Sequence, residues 1–259
     1  MSNGTHPSDS QADDGPTGSS AGHSRPDRTH ATHSPSTAGI DIAAVVFDFD
    51  GVLVDSIAVH RESWRLAFAE VLDRDLPEVP VEEIAGKSTV EIGNVLARYA
   101  GAGNRAKDVA EAKVRILESR GLLPEALPGA VEVTRALRAR GIPYGIASNA
   151  PGSYVRRVAK ALELHPQVAM GFEDVERPKP DPSAYLTCAR RLGFSPDDRE
   201  RILVCEDSVP GLTAAVDAGM RTLAVTTTAD EGSLRACGAE IIAGNLLAAI
   251  PYIPVLGMP

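Results

Sequence analysis

Cysteine, aromatic side chains and positive charge are all scarce in this chain. Its 259 residues include three cysteines, aromatic residues make up 4%, and acidic residues outnumber basic ones by 35 to 26. Cys188, Cys205 and Cys237 form no CxxC pair and no even set, which argues against a disulfide framework and predicts reduced, structural thiols. With so few rings, the core is expected to consist mainly of Ala, Val, Leu and Ile, as in helices packed on a parallel sheet.

Two further absences concern partners and location. With a net charge of -9 the chain lacks the electropositive surface of nucleic-acid binders, so we predict no nucleic-acid partner. It also lacks a basic n-region followed by an apolar stretch, and no apolar run approaches the roughly 20 residues that span a bilayer. These absences predict no membrane partner and a cytoplasmic location. An anionic substrate stays compatible, because a metal ion and a few lysines can dominate the potential inside one cleft.

The first 39 residues differ from the rest in composition. They are mostly small and polar, with almost no aliphatic side chains, and four of the six histidines lie among them at irregular spacing. So little apolar surface cannot offset the entropy lost on ordering. We therefore predict a disordered N-terminal arm over residues 1–39, with solvated rather than metal-binding histidines.

From residue 40 onward, short apolar runs alternate with helical patterns, which predicts βαβ units and a mostly parallel sheet. The predicted α/β core covers residues 40–56 and 125–259. Its strands are Ile42 to Phe47, Ile142 to Ala147, Ile202 to Cys205, Thr222 to Val225 and the weaker Glu240 to Ala243, with helices such as Ala130 to Arg140 and Pro182 to Leu192 between them.

The stretch 57–124, between the first and second of these strands, has a helical pattern throughout. Its predicted helices are Ala58 to Leu72, Val81 to Tyr99 and Ala106 to Glu118. A connection this long predicts an inserted α-helical cap. Because it leaves the sheet after the first strand, it should lie over the carboxyl ends of the strands, where open α/β sheets bind ligands.

Four polar segments fall at or just beyond the ends of successive predicted strands. They are Asp48-Phe49-Asp50-Gly51, Ser148-Asn149, Lys179 within Arg177 to Pro182, and Glu206-Asp207-Ser208. One pair of aspartates at a strand end is a weak signal, but parallel strands bring their carboxyl ends to the same edge of a sheet. The four segments together predict one shared site, in which one aspartate attacks and the other handles protons.

These motifs and their order resemble the haloacid dehalogenase superfamily of hydrolases. The similarity is to the branch with a helical cap after the first motif (subfamily I), which includes β-phosphoglucomutase-like sugar phosphatases. It extends through Asp55-Ser56, Leu127 to Gly129 and Cys205 to Gly211. The resemblance implies an α/β fold with a Rossmann-like parallel-sheet core and an inserted α-helical cap domain.

The resemblance also implies a role for each motif residue. Asp48 would attack phosphorus and form an aspartyl-phosphate, and Asp50 would protonate the leaving alcohol and then activate water. Ser148 and Lys179 would hold the phosphoryl oxygens. Asn149 would either contact substrate or only shape the turn. The simpler alternatives are an exposed loop charge for Lys179 and a helix N-cap for Ser148.

A magnesium ion completes the site that the resemblance implies. Mg²⁺ keeps oxygen ligands, and one or two carboxylates with a phosphate oxygen satisfy it. The expected ligands are the carboxylates of Asp48 and Asp207 and the backbone carbonyl of Asp50, with Glu206 binding directly or through water.

Two residues of the predicted cap are candidates for substrate contact. Lys87 lies in Ala85 to Thr89, where relatives carry a specificity loop, although most lysines on cap helices are merely solvated. His60 falls in the register that places a histidine near the cleft in β-phosphoglucomutase and many sugar phosphatases. Trp64, one turn further along the helix, is interpreted as cap packing.

The resulting prediction is a Mg-dependent phosphoric monoester hydrolase whose partner is a small-molecule phosphate ester, such as a sugar or polyol phosphate. Asp50 favours phosphorus chemistry, because branches that displace halide from carbon typically lack it. A β-phosphoglucomutase-type phosphosugar mutase is the alternative, disfavoured because Ala85 and Thr89 stand where that enzyme carries a lysine and an arginine. A non-catalytic binding protein on the same scaffold is the third possibility, against which the intact motifs argue.

Overall fold

The computed structural model describes residues 41–84 and 87–253. The predicted N-terminal arm lies outside these residues, as do Ala85 and Gly86 of the predicted specificity loop.

A six-stranded parallel sheet is the centre of the described fold, with strand order β5-β4-β1-β6-β7-β8. This confirms the predicted α/β fold class. A separate antiparallel pair joins β2 to β3. The strands are β1 (Ala44–Phe47), β2 (Val54–Asp55), β3 (Glu125–Ala126), β4 (Tyr144–Ala147), β5 (Val168–Met170), β6 (Ile202–Glu206), β7 (Arg221–Val225) and β8 (Ile241–Ala243).

Helices cover both faces of this sheet, because successive side chains of a strand point to opposite faces. In β1, Val45 and Phe47 pack into one apolar cluster, whereas Ala44 and Val46 pack into the other. The helices are α1 (Ile57–Leu72), α2 (Thr89–Tyr99), α3 (Ala106–Ser119), α4 (Ala130–Ala139), α5 (Gly152–Ala161), α6 (Ser183–Arg191), α7 (Val209–Asp217), α8 (Glu231–Ala236) and α9 (Leu246–Ala249).

The insertion between β2 and β3 contains α1, α2 and α3, which share an apolar cluster of their own. Trp64 and Phe68 of α1, Leu96 of α2 and Ile116 of α3 are buried in it. Trp64 therefore packs as predicted. The antiparallel pair of β2 with β3 brings together the two ends of the insertion. The division of the chain into arm, core and cap at the stated boundaries stays a prediction.

Three local features differ from the sequence expectations. β5 and the short β2–β3 pair were not predicted, because two or three residues carry too little periodicity to be recognised. The predicted helix from Val81 begins only at Thr89, since Ser88 and Glu91 form a reciprocal capping box there. Val81–Glu83 is a single 3₁₀ turn.

The thiols agree with the sequence expectation. All three cysteines are free, and Cys188 and Cys205 are buried. Among residues 41–84 and 87–253, every helix is too short or too polar to cross a membrane.

Candidate active site

The four polar segments meet where the central strands end. Asp48 follows β1, Ser148 follows β4, and Glu206 closes β6. Because β1 pairs with both β4 and β6, their carboxyl ends are neighbours. Lys179 reaches the same place from the segment between β5 and α6. The topology thus brings together residues that are far apart in the chain.

Lys179 is the centre of a buried ion cluster. Its ammonium lies 2.6 Å from Asp48 Oδ1 and 2.8 Å from Glu206 Oε1, and the residue is only 6% exposed. The alternative of an exposed loop charge for Lys179 is therefore wrong. The ring of Tyr185 adds a cation–π contact, with its centroid 4.5 Å from the ammonium. A buried ammonium with two carboxylate partners orients the Asp48 side chain and offsets its charge.

Glu206 is held by donors on both of its oxygens. Oε1 accepts from Lys179 and from the Tyr185 hydroxyl at 2.6 Å. Oε2 accepts from the backbone N–H groups of Asp207 and Ser208 and from the Ser208 hydroxyl. The first turn of α7 leaves room for this carboxylate only because residue 211 is glycine, since a Cβ there would stand 1.7 Å from Glu206 Oε1.

Asp48, Glu206 and Asp207 form the acidic cluster that fits a metal ion. Each offers a carboxylate oxygen, and the three atoms lie within 4.8 Å of one another. Three carboxylates against the single ammonium of Lys179 favour a hard cation with oxygen ligands. Asp48 and Asp207 suit direct ligation better than Glu206, whose oxygens already accept from five donors.

The turn after Asp50 is shaped around Asp207. Gly51 has a φ of +81°, and a Cβ at this position would stand 1.9 Å from Asp207 Oδ2. Only glycine satisfies both the left-handed backbone and the close approach. The DxDG motif and the second acidic motif are therefore in direct contact.

Burial dominates the protonation of this cluster. It raises the pKa of Asp48 to about 7, against the opposing charge of Lys179. Burial and then the charges of Glu206 and Asp48 raise the pKa of Asp207 well above its usual range. Burial acts in the same direction on Glu206 and is the largest single influence, but Lys179, Tyr185 and the Ser208 N–H together hold the pKa of Glu206 below its usual value. The nucleophile candidate and Asp207 are thus the two groups that a bound cation would ionise.

Asp50 is partly exposed and pairs with His60 of α1. Nε2 of His60 lies 3.2 Å from Asp50 Oδ1, and both side chains are about one quarter exposed. Burial acts to raise the pKa of Asp50. The charge and hydrogen bond of His60, with smaller contributions from Ser56 and Lys113, together outweigh burial and lower the pKa below its usual value. The predicted His60 therefore lies beside the proton-transfer candidate.

The remaining predicted residues lie at different distances from this chemistry. Ser148 is buried, and its Oγ accepts from the Ala150 N–H, whereas the N-cap of α5 is Pro151, so the N-cap alternative for Ser148 is wrong. Asn149 donates to the Lys179 carbonyl and accepts from its N–H, which fixes the loop that carries Lys179. Lys87 is exposed before α2, where hydrogen bonds from the Ser88 hydroxyl and N–H lower the pKa of Glu91 and the charge of Lys87 adds a smaller effect.

Sequence reasoning missed Lys113 of the insertion, whose charge acts on Asp50. Lys113 of α3 is 3% exposed, with its ammonium 5.6 Å from the Trp64 ring centroid and 3.4 Å from Thr89 Oγ1. Burial lowers its pKa to about 8, while the charge of Asp50 opposes that change. The spacing of Val109, Lys113 and Ile116 on one buried helix face was the signal that could have found it.

Comparison with known families identifies this arrangement. A family model described as haloacid dehalogenase-like hydrolase matches residues 42–219, a span that holds every motif named above. The chain belongs to this family. The resemblance drawn from the motifs is confirmed, and so is the assignment as an enzyme.

Curated relatives of this hydrolase are named as phosphatases. Hexitol phosphatase A of Escherichia coli is 32% identical over 71% of this chain and 83% of its own length. The phosphorylated carbohydrates phosphatase of Thermotoga maritima is 30% identical over 70% and 83%. (DL)-glycerol-3-phosphatase 2 of Arabidopsis thaliana is 26% identical over 71% and 79%. Together with the family match, they confirm the prediction of a phosphoric monoester hydrolase.

Solved structures share the fold of this hydrolase. CbbY from Rhodobacter sphaeroides in complex with phosphate superposes with a TM-score of 0.65, covering 80% of this chain and 96% of that one at 23% identity. A hydrolase from Pseudomonas syringae gives a TM-score of 0.66, covering 83% and 100% at 23% identity. Both confirm the parallel-sheet architecture.

Proposed function

We propose that this hydrolase is a Mg²⁺-dependent phosphatase of sugar or polyol phosphates that works through an aspartyl-phosphate. The observation that carries the proposal is the arrangement of two aspartates at the end of β1. Asp48 is buried against Lys179 and beside Asp207, whereas Asp50, two residues later, is partly exposed and pairs with His60. One carboxylate is held for attack and the other for proton transfer.

The residues support a two-step displacement. A carboxylate oxygen of Asp48 attacks phosphorus while the bond to the leaving oxygen breaks, and Asp50 gives that oxygen its proton. Water then attacks the phosphorus of the aspartyl-phosphate, Asp50 takes the proton, and the bond to Asp48 breaks to release phosphate. Lys179 keeps Asp48 oriented in both steps, and Ser148 and Asn149 border the phosphoryl position.

The metal would be held by Asp48, Asp207 and the carbonyl of Asp50, with Glu206 supporting them through Lys179 and the backbone. When bound, Mg²⁺ supplies positive charge that offsets repulsion between the anionic nucleophile and an anionic substrate. Lys179 alone cannot supply that charge, because its ammonium already forms ion pairs with Asp48 and Glu206.

The substrate class rests on the relatives, whose names include a hexitol, a glycerol and a phosphorylated-carbohydrate phosphatase. The site agrees with a leaving group that carries hydroxyls. Among the described residues of the insertion, His60 pairs with Asp50, the charge of the buried Lys113 acts on Asp50, and Lys87 is exposed. A phosphosugar mutase must also hold a second phosphate, which would require more positively charged side chains than His60, Lys113 and Lys87.

Phosphate release across hexitol, glycerol and sugar phosphates with Mg²⁺ tests the proposal. Asp48→Asn should lower kcat by on the order of 10³-fold or more, because the amide cannot attack. Asp217→Asn, at an exposed aspartate of α7, is the matched control and should leave kcat unchanged. EDTA should abolish turnover and Mg²⁺ should restore it.

Two results would contradict this assignment. Isomerisation of a primed sugar 1-phosphate without net phosphate release would establish the mutase instead. Absence of turnover on every phosphate ester would favour a binding protein on this scaffold.

A further inference from the structure

Tyr154 of α5 contacts two neighbours of Asp50. One is Phe49, which precedes Asp50 in the sequence, and the other is His60, which pairs with the Asp50 carboxylate. It is fully buried, and its ring packs edge-on against Phe49, with centroids 5.8 Å apart and planes at 83°. Phe49 stands between Asp48 and Asp50 in the sequence. The same tyrosine ring lies 5.8 Å from the His60 imidazole, tilted by 51°. Tyr154 therefore contacts both the backbone segment that carries Asp50 and the histidine that binds its carboxylate.

Each ring of the Tyr154–His60 contact carries one buried polar atom without a partner among the described residues. His60 faces the Asp50 carboxylate through Nε2, and an ionised carboxylate only accepts, so Nε2 carries the proton. In the neutral imidazole Nδ1 is then an acceptor, whereas in the imidazolium, whose charge lowers the pKa of Asp50, both nitrogens donate. Among the described residues, neither the buried Nδ1 nor the buried Tyr154 hydroxyl has a hydrogen-bond partner. A phenol hydroxyl is a donor of the kind that Nδ1 of this tautomer requires.

Arg157 holds Tyr154 from the other side. Its guanidinium lies 5.7 Å from the centroid of the Tyr154 ring. The same guanidinium donates to the Leu117 carbonyl at 2.7 Å and to the Leu122 carbonyl at 3.1 Å, at the end of α3 and in the return to the core. Tyr154 is thus fixed between the end of the insertion and the Asp50–His60 pair.

We propose that Tyr154 is a positioning residue for proton transfer, which holds His60 and, through it, the Asp50 carboxyl in place. Its ring sets the position of the imidazole, and a hydrogen bond from its unpartnered hydroxyl to the unpartnered Nδ1 would favour the tautomer that donates to Asp50. The inference rests on the proposed function, because it assigns the proton-transfer role to Asp50. Tyr154 itself needs no contact with substrate.

Leaving-group dependence separates this role from a structural one. An alkyl phosphate such as glycerol 3-phosphate needs a proton on its leaving oxygen, whereas 4-nitrophenyl phosphate loses a stable phenolate without one. The quantity to compare is the ratio of kcat/KM for the alkyl ester to that for the aryl ester, because kcat/KM reports the step in which the leaving group departs.

Tyr154→Leu should lower this ratio at least 10-fold, and Tyr154→Phe, which keeps the ring, should lower it about threefold. Tyr144→Leu is the matched control. Tyr144 is equally buried and packs edge-on against Phe47, but its hydroxyl donates to backbone carbonyls away from the site. Its loss should lower both kcat/KM values by the same factor and leave the ratio unchanged.

A ratio unchanged in both Tyr154 variants, with wild-type turnover intact, would overturn the inference and leave the proposed function standing. If Tyr154→Leu does not fold, Tyr154→Phe decides alone by the same ratio. A wild-type protein that hydrolyses neither ester would instead contradict the proposed function.

Discussion

At the scale of single residues, the site depends on buried charges whose partners differ in kind and number. Lys179 is stabilised by two carboxylates within hydrogen-bond distance, which keep its pKa above the usual value although burial acts to lower it. Among residues 41–84 and 87–253, Lys113 has no such pair of carboxylate contacts. Its compensation is the Trp64 ring, the Thr89 hydroxyl and the charge of Asp50. These two lysines should therefore respond differently to pH.

Replacing Lys113 by Met should change how stability depends on pH. Burial lowers the pKa of Lys113 from 10.5 to about 8. Between these values the unfolded chain binds more protons, so wild-type stability rises with pH. Lys113→Met lacks this group. Its stability relative to wild type should thus fall by about 3 kcal/mol between pH 7 and pH 10.5, measured by urea unfolding.

The matched control is Lys107→Met, on the same helix. The Lys107 side chain is 86% exposed beside Glu111, so its removal should shift stability equally at both pH values. A difference between Lys113→Met and wild type that stays constant with pH would show that Lys113 is not desolvated in solution.

At the scale of elements, the junction of β6 with α7 builds the acidic half of the site. Ser208 caps α7 by accepting from the Gly211 N–H, and its own N–H and hydroxyl donate to Glu206. The helix start and the Glu206 carboxylate therefore share one hydrogen-bond network. Such a network is destabilised as a unit when one member is displaced.

Gly211→Ala should disrupt this junction. The added Cβ would stand 1.7 Å from Glu206 Oε1, so the carboxylate must leave Lys179 and Tyr185. We expect a loss of about 2–5 kcal/mol in the free energy of unfolding, typical of a broken buried network, together with loss of activity. Gly103→Ala is the control, since a Cβ there meets no atom within 4 Å. Equal stability of the two variants would contradict the close packing of Gly211.

Elements of the core were predictable because each long strand is an apolar run that ends in a polar motif. β1, β4, β6 and β7 were recognised to within two residues of their ends. β5 was not, since its three residues have no distinctive pattern. The start of α2 was missed because Val81–Glu83 has helical composition but only the Ser88 capping box begins the helix.

At the scale of the whole molecule, the described residues contain both the sheet and the candidate site. The family match begins at residue 42 and ends at residue 219. The composition of the first 39 residues predicts too little apolar surface to add to this core.

Deleting residues 1–39 should therefore leave catalysis intact. We expect kcat/KM for the best substrate to stay within twofold of the full chain and the thermal midpoint within about 2 °C. A loss of tenfold or more in kcat/KM would assign the arm a part in the site.

The sequence by itself determined the fold class and the identity of the motif residues. Asp48, Ser148 and Glu206 follow from strand ends, because parallel pairing forces consecutive strand ends to one edge. Only the tertiary structure decided which charges are buried together. Lys179 lies 131 residues from Asp48, and Lys113 and Tyr154 lie on helices that carry no motif. Their partners depend on how loops and helices pack over the sheet, which no local pattern records.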